Sequence, residues 1–478
     1  MKSKPLEVFK ELSFIPNALV FLRPKQVFPM ILLGLVGPGL TLEVKAGTLI
    51  VGPSGPFVSV QEALIHATTG DTIRVKSGIY KGNLILDKQI VLEGIDGPVI
   101  QGDGQGSVIT VNANGCTIRG LIIEHSGSRL VDEDSGILLK SNGNRIEENE
   151  LRDVLFGIYF FGSSDNIVRG NVIRGRDFLE LGERGSGIHI WNATNNTIVG
   201  NTIKQARDGM YLQNAYKSTL RGNRVFDLRY GLHYMFSDDN KFEENLFYNN
   251  TAGAAIMYSR RIEFRRNVFI HNRGFSSFGL LFQDGDDCLA EDNLIVDNAV
   301  GIFMEALRNS TFRRNLIAAN DTAIQVFTSA AENIFQRNNF VDNLSPIQVI
   351  GKNTTTHWSH EGVGNYWSDY NGYDLDADGI GDVPFKIQNI FQHLEGNYPR
   401  LRIYLFSPAS QALALAEKTF PVIEGSRELD FYPLMKPVVL SVQVPELSEG
   451  PRFKRYSLGL PFAMLVVSIA LIIKGKKR

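Results

Sequence analysis

Residues 218–239 read STLRGNRVFDLRYGLHYMFSDD, and residues 240–261 read NKFEENLFYNNTAGAAIMYSRR. Laid one above the other, the two lines match Asn223 with Asn245, Gly231 with Gly253 and Met235 with Met257. A 22-residue segment that repeats its asparagine, its glycine and its short β-rich runs is one turn of a stacked structure.

Working outward from that pair, the asparagine recurs at Asn149, Asn171, Asn201, Asn223, Asn245, Asn267, Asn293, Asn315 and Asn338, at spacings of 22, 30, 22, 22, 22, 26, 22 and 23. A small residue marks a second register at Gly136, Gly157, Gly187, Gly209, Gly231, Gly253, Gly279, Gly301 and Ala323. From Gly157 to Asn171 is 14 residues, and that offset repeats in seven successive turns, through Asn315. Segments such as STLRGNRVF and STFRRNLIA are too brief for bundle helices and suit strands. The period therefore predicts an all-β chain, a parallel β-helix whose coils stack at the roughly 4.8 Å of paired strands, with asparagine amides laddered along its axis.

A further small or polar column lies five residues before the asparagines: Asn144, Asn166, Asn196, Ser218, Asn240, Cys288, Ser310 and Asn333, with Cys116 one turn earlier. These two cysteines are the whole complement of the chain and fall seven coils apart, roughly 34 Å at the strand spacing, which excludes a disulfide and a cysteine zinc site. Before the coils, SVQE at Ser59–Glu62 has the form of a capping box opening the helix VQEALIHA, which would cover the open end of the core.

With 49 basic against 51 acidic residues, the 478-residue chain has no global field that would draw nucleic acid. Residues 1–46 read as a leader with an export signal, basic residues preceding the apolar run from Val27 to Leu42. Residues 47–350 carry the coils, 351–400 form an aromatic and aspartate-rich cap, and 401–450 a docking extension with the amphipathic helical stretch SPASQALALAEKTFPV. The uncharged run 456–473 is long enough to span a bilayer and anchors the exported body by its C-terminus.

After each small residue, positions one and three hold inward apolar side chains, so positions two and four face outward. Outward in order are Tyr159 and Phe161, His189 and Trp191, Tyr211 and Gln213, His233 and Met235, Ala255 and Met257, Leu281 and Gln283, Phe303 and Glu305. So little charge marks an interaction surface, with Trp191 and Tyr211 as partner-binding candidates. His233, Met235 and Met257 fall within side-chain reach of one another and form a soft donor set suited to Cu(I). His189 and His271 are further candidate ligands, His271 in one of the two insertions (176–185 and 271–278) that fall at the same corner. Covering of apolar surface explains the same residues without a metal.

In GNYWSDYNGYDLDADGIGDVPF, Asp374, Asp376, Asp378 and Asp382 match positions one, three, five and nine of a calcium loop, and Gly379 its sharp turn, but Phe385 replaces the closing glutamate. Tyr366, Trp367 and Tyr370 in the same run are suited to sealing the last coil.

The segments YGLHYMFSDDN, AGAAIMYS, GNYWSDYNGYDLDADGIGDVPF and SPASQALALAEKTFPV together resemble the NosD family, the exported maturation proteins of nitrous oxide reductase. The resemblance covers roughly residues 50–436 and implies a right-handed, pectate-lyase-like β-helix on the periplasmic side of the membrane. It further implies an accessory role in building the copper–sulfur centre of the reductase, with an ABC transporter (membrane and ATPase subunits) and a copper chaperone as partners. Carried over by position, it makes His233, Met235 and Met257 contacts for copper or for a copper-loaded partner.

Two rival functions attach to the same fold: a polysaccharide lyase, hydrolase or epimerase, and a metal-free binding scaffold. A hydrolase needs paired carboxylates on a groove. The acid clusters Asp238–Asp239 and Asp284, Asp286 and Asp287 sit at strand exits, where turns favour aspartate, so the sequence favours a non-enzymatic chain.

Overall fold

The computed structural model describes residues 46–274, 276–351, 354–388, 394, 398–404, 407–419 and 428–442. The expected leader and the 456–473 anchor lie outside these residues. Among the described residues no helix is long and apolar enough to cross a membrane.

The repeat is a right-handed parallel β-helix. Each full coil contributes one strand to each of three parallel sheets. One sheet runs in fourteen strands from Thr48–Val51 to Thr355–His357, and a second in twelve strands from Leu84–Leu86 to Ser345–Ile350; hydrogen bonding joins the two into 26 strands. The third has 13 strands, from Ile79–Lys81 to Tyr366–Trp367. Register is kept through the insertions, since Ile188–Thr194 still pairs Ile188 with Ile158 across the 30-residue coil.

The asparagines hold that register. Each amide Nδ2 donates to the Oδ1 of the next coil's asparagine at 2.8–3.1 Å, from Asn149 through Asn338 and on to Asn365. The same Oδ1 accepts the preceding asparagine's backbone N–H, as Asn267 does from Asn245 at 3.0 Å. Donors and acceptors that the corner would strand in an apolar interior are thus satisfied by side chains. The column five residues earlier behaves alike, with Asn144 Nδ2 on Asn166 Oδ1 at 3.0 Å, and it contains both cysteines, buried and unpaired. A third ladder, Asn272–Asn298–Asn320–Asn343, runs five residues after the first.

The glycine column has a separate cause. A Cβ on Gly231 would lie 2.6 Å from the carbonyl oxygen of Gly253, closer than any side chain can sit. Inside the coils, like stacks on like: Phe242 on Phe264 at 4.8 Å, Phe247 on Phe269 at 5.1 Å and Phe312 on Phe335 at 4.4 Å.

Both ends of the core are closed. The helix Val60–His66 is capped by Ser59 Oγ, which accepts from Glu62 N at 3.0 Å, and it buries Val60 and Ala63 over the first coil. At the other end Trp367 stacks on Phe340 at 4.1 Å, as its aromatic run suggests. The ladder does not stop at Asn338: its last amide, Asn365, donates its backbone N–H to Asp430 Oδ2 at 2.7 Å, and Trp367 Nε1 donates to the same oxygen at 2.9 Å. Within the stretch expected as a docking extension, the helix Pro408–Thr419 forms. Residues 428–442 return to the body: Leu429–Asp430 pairs antiparallel with Phe385–Lys386, and Leu440 and Val442 pack against Phe226, Leu246 and Tyr248.

Candidate functional site

The twelve-strand sheet carries the expected outward column. Tyr159, His189, Tyr211 and His233 are partners in register on four successive coils, and Ala255 follows. Their rings touch in sequence, Tyr159 to His189 at 4.4 Å, His189 to Tyr211 at 4.5 Å and Tyr211 to His233 at 4.6 Å. Met235 pairs with Met257 across adjacent strands, and His233 lies two residues before Met235 on the same face. All three are half-buried. The Tyr211 hydroxyl is 3.1 Å from Gln213 Oε1 and 3.8 Å from Met235 Sδ.

The column is more covered than an open strand face. Leu179 of the 176–185 insertion and Trp191 both pack against the cluster of Leu155, Phe156 and Tyr159, so Tyr159 is buried and Trp191 half-buried beside Phe161, 4.8 Å away. His189 is also buried, and its Nδ1 has no hydrogen-bond partner. Burial, reinforced by the Arg207 cation, pushes its pKa down to about 3, so the ring is neutral at physiological pH.

His271 sits elsewhere than the column. It occupies a left-handed corner (φ 56°) in line with Asp227, Asn249 and Asp297, and its Nδ1 is 2.6 Å from Asp297 Oδ2. Arg273 binds that carboxylate from the other side at 2.7 Å.

A buried acid that is not among the residues expected from the sequence lies beneath the column. Asp208, fully buried, takes Arg229 in a fork, Nε to Oδ1 at 2.8 Å and Nη2 to Oδ2 at 2.6 Å, and its Oδ2 is 3.2 Å from His233 Nδ1. Arg207 Nε lies 3.5 Å away. Burial alone would raise the carboxyl's pKa, but the hydrogen bonds from His233 and Arg229 outweigh it and hold it down to about 2. The signal was present in the sequence. In the column Asp208, Tyr230, Ala252, Phe278, Val300 and Thr322, Asp208 is the lone charge.

At the C-terminal cap, Asp374, Asp376 and Asp378 bring ligand oxygens within 4.8 Å of one another. Asp374 Oδ1 is buried without a partner, and repulsion from Asp378 raises the Asp376 pKa. Gly379 turns at φ 89° and donates its N–H to Asp374 Oδ2 at 2.9 Å. Asp382 stands apart from the three, its Oδ2 accepting from Leu375 N at 2.7 Å.

Fold and face together define a parallel β-helix protein that presents an imidazole and two thioethers on one sheet, above a buried ion pair. The model of the family described as "Periplasmic copper-binding protein (NosD)" matches residues 66–178 and 171–372. A "Probable ABC transporter binding protein NosD" from Pseudomonas aeruginosa is 35% identical over 373 residues, which are 75% of this chain and 87% of that protein. One of the same description from Stutzerimonas stutzeri is 34% identical over 379 residues, 76% and 86% of the two chains. The chain belongs to the NosD family. Among solved structures, the catalytic domain of a GH87 alpha-1,3-glucanase is 15% identical and superposes on 70% of this chain and 71% of its own with a TM-score of 0.49.

Proposed function

We propose that the chain is a non-catalytic periplasmic accessory protein that holds copper, as Cu(I), during assembly of the copper–sulfur centre of nitrous oxide reductase. In this reading it works with an ABC transporter and receives copper from a chaperone. The observation that carries it is the pairing of Met235 with Met257 beside His233, in a family described as copper-binding. Two thioethers and an imidazole match a soft monovalent ion and suit calcium or magnesium poorly. The description of the relatives as transporter-binding proteins supports the choice of membrane partner.

Carbohydrate chemistry is less well served. Arg261 binds Asp239 through Nε at 2.5 Å and reaches Asp238 at 3.4 Å, while Arg308 and Arg260 face Asp286 at 3.8 Å each. Carboxylates so paired are poor candidates for a catalytic acid and base on an open groove.

Anaerobic titration with Cu(I) against a chromophoric chelator tests the reading. Wild type should bind, and a His233→Ala, Met235→Leu, Met257→Leu variant should lose that binding while remaining folded, as its circular dichroism shows, with a lowered melting temperature because Asp208 loses a partner. Equal affinity of the two proteins would overturn it.

We propose separately that the Asp374–Asp378 loop takes calcium, supported by the unpartnered Asp374 oxygen and the mutual repulsion of the acids. Addition of millimolar calcium should raise the melting temperature of wild type and leave Asp376→Asn unchanged; an equal response of both proteins would dismiss the site.

A further inference from the structure

The Asp208 carboxylate is out of reach of solvent and has three cationic or donor neighbours, of which only His233 belongs to the exposed face. A buried carboxylate held by a bidentate arginine is an acceptor only. Its 3.2 Å approach to His233 Nδ1 therefore requires the hydrogen to sit on Nδ1, and a neutral imidazole with Nδ1–H has its lone pair at Nε2. Among the described residues no hydrogen bond reaches Nε2 of His233.

The ring is also fixed in place. It is wedged between Tyr211 at 4.6 Å and Tyr230 at 5.1 Å, and the guanidinium of Arg229, which grips Asp208, lies over the Tyr230 ring at 4.5 Å. Arg229, Asp208, Tyr230 and His233 thus form a closed set in which each member restrains the next. On the neighbouring coil the Tyr211 hydroxyl restrains the Met235 thioether from the same side.

We propose that Asp208 is the positioning residue of this face: it selects the Nδ1–H tautomer of His233 and so presents Nε2 as the nitrogen donor for the metal, with Arg229 keeping the carboxylate charged and aimed. The proposal rests on the copper reading above and deepens it, since a carboxylate behind a ligating histidine both orients the ring and raises its basicity. His189 lacks such a carboxylate partner, its Nδ1 being unbonded, so the arrangement distinguishes the two histidines of the column and assigns the metal to His233.

The test uses the full chain without metal. Side-chain 15N spectra, with the His233 signal identified by its loss in His233→Gln, should show Nδ1 protonated and Nε2 bare in wild type. Asp208→Asn, whose amide can turn its NH2 toward the ring, should move the proton to Nε2 and weaken Cu(I) binding by about 10–100-fold. An Nε2–H tautomer in wild type overturns the proposal without recourse to any variant, which decides the case even where Asp208→Asn fails to fold. Unchanged tautomer or unchanged Cu(I) affinity in a folded Asp208→Asn also overturns it. A wild type with the Nδ1–H tautomer that binds no Cu(I) removes the copper reading instead, and with it the ligand that this arrangement serves.

Discussion

Two faces of the same solenoid, built from the same coils, solve opposite problems. On the fourteen-strand sheet one outward column reads Arg74, Glu93, Arg119, Glu147 and Arg169, then, after Val199, Arg221, Glu243, Arg265, Glu291 and Arg313, each residue in register with the next. Sign alternates coil by coil, and ion pairs form along the column, Glu93 with Arg74 at 2.9 Å and Arg119 at 2.5 Å, Glu291 with Arg265 and with Arg313 at 2.8 Å. On the twelve-strand sheet the corresponding column is Tyr159, His189, Tyr211, His233, Ala255, Leu281 and Phe303, with no carboxylate or guanidinium on it.

The cause is the in-register stacking itself. Residues about 4.8 Å apart are stabilised when they alternate in charge or carry none, because like charges directly opposite repel; Arg174 beside Lys204 on the third sheet is an exception. The charged column sets six guanidiniums against four carboxylates, so most of its charge is met by ion pairs within the column. The uncharged column stacks rings beside the thioethers, and the ion pair of Asp208 with Arg229 lies below it. The imidazole and thioether side chains of His233, Met235 and Met257 thus stand beside a column that carries no charge.

The largest expected effect comes from the frame that both faces share. Asn245→Ala removes the acceptor of both Asn223 N–H and Asn223 Nδ2, and the donor to Leu220 O. Buried groups left unpaired cost about 1–3 kcal/mol each, so loss of about 3 kcal/mol or more in urea unfolding is expected. A loss below 1 kcal/mol would mean that strand pairing, and not the ladder, fixes the register of both sheets.

Next is the pH response of the uncharged face. Because folding lowers the Asp208 pKa from the ordinary 3.8 to about 2, the folded state binds its proton less readily than the unfolded chain. Its contribution, about 2 kcal/mol, is fully present above the ordinary carboxylate range and is lost as pH falls from about 5 to 2. Denaturation curves across that window should be flatter in Asp208→Asn by that amount, and parallel curves would refute the buried pair as the source.

The smallest effect belongs to the charged face. Glu291→Lys sets three cations in line, Arg265, Lys and Arg313, and should cost about 1–2 kcal/mol at low salt. Because these groups are partly solvated, most of that loss should vanish at 1 M salt. An equal loss at high salt would indicate packing and not charge alternation.

Much of this was legible because a β-helix turns sequence spacing into spatial adjacency. A count of 22 brought Met235 to Met257 and Asn223 to Asn245 as soon as the period was recognised. The third ladder was equally legible at five residues past the first, and so was the Arg/Glu alternation, once every column is read along the axis. The shape of the face was harder to read: Leu179 packs against the cluster of Leu155, Phe156 and Tyr159 from an insertion that has no counterpart in the neighbouring coils, and no periodic rule places it.

By itself, then, the sequence determined the coil, its register and the identity of each stacked neighbour, because each coil repeats the same path and equal residue counts mean equal positions. Only the tertiary structure decided how those neighbours are used. It buried His189 and left His233 half-exposed, joined Asp208 to His233 and Arg229, and closed the ladder of Asn365 with Asp430, 65 residues further along. Such pairings depend on burial and side-chain direction between segments that share no period, and those are properties of the packed molecule.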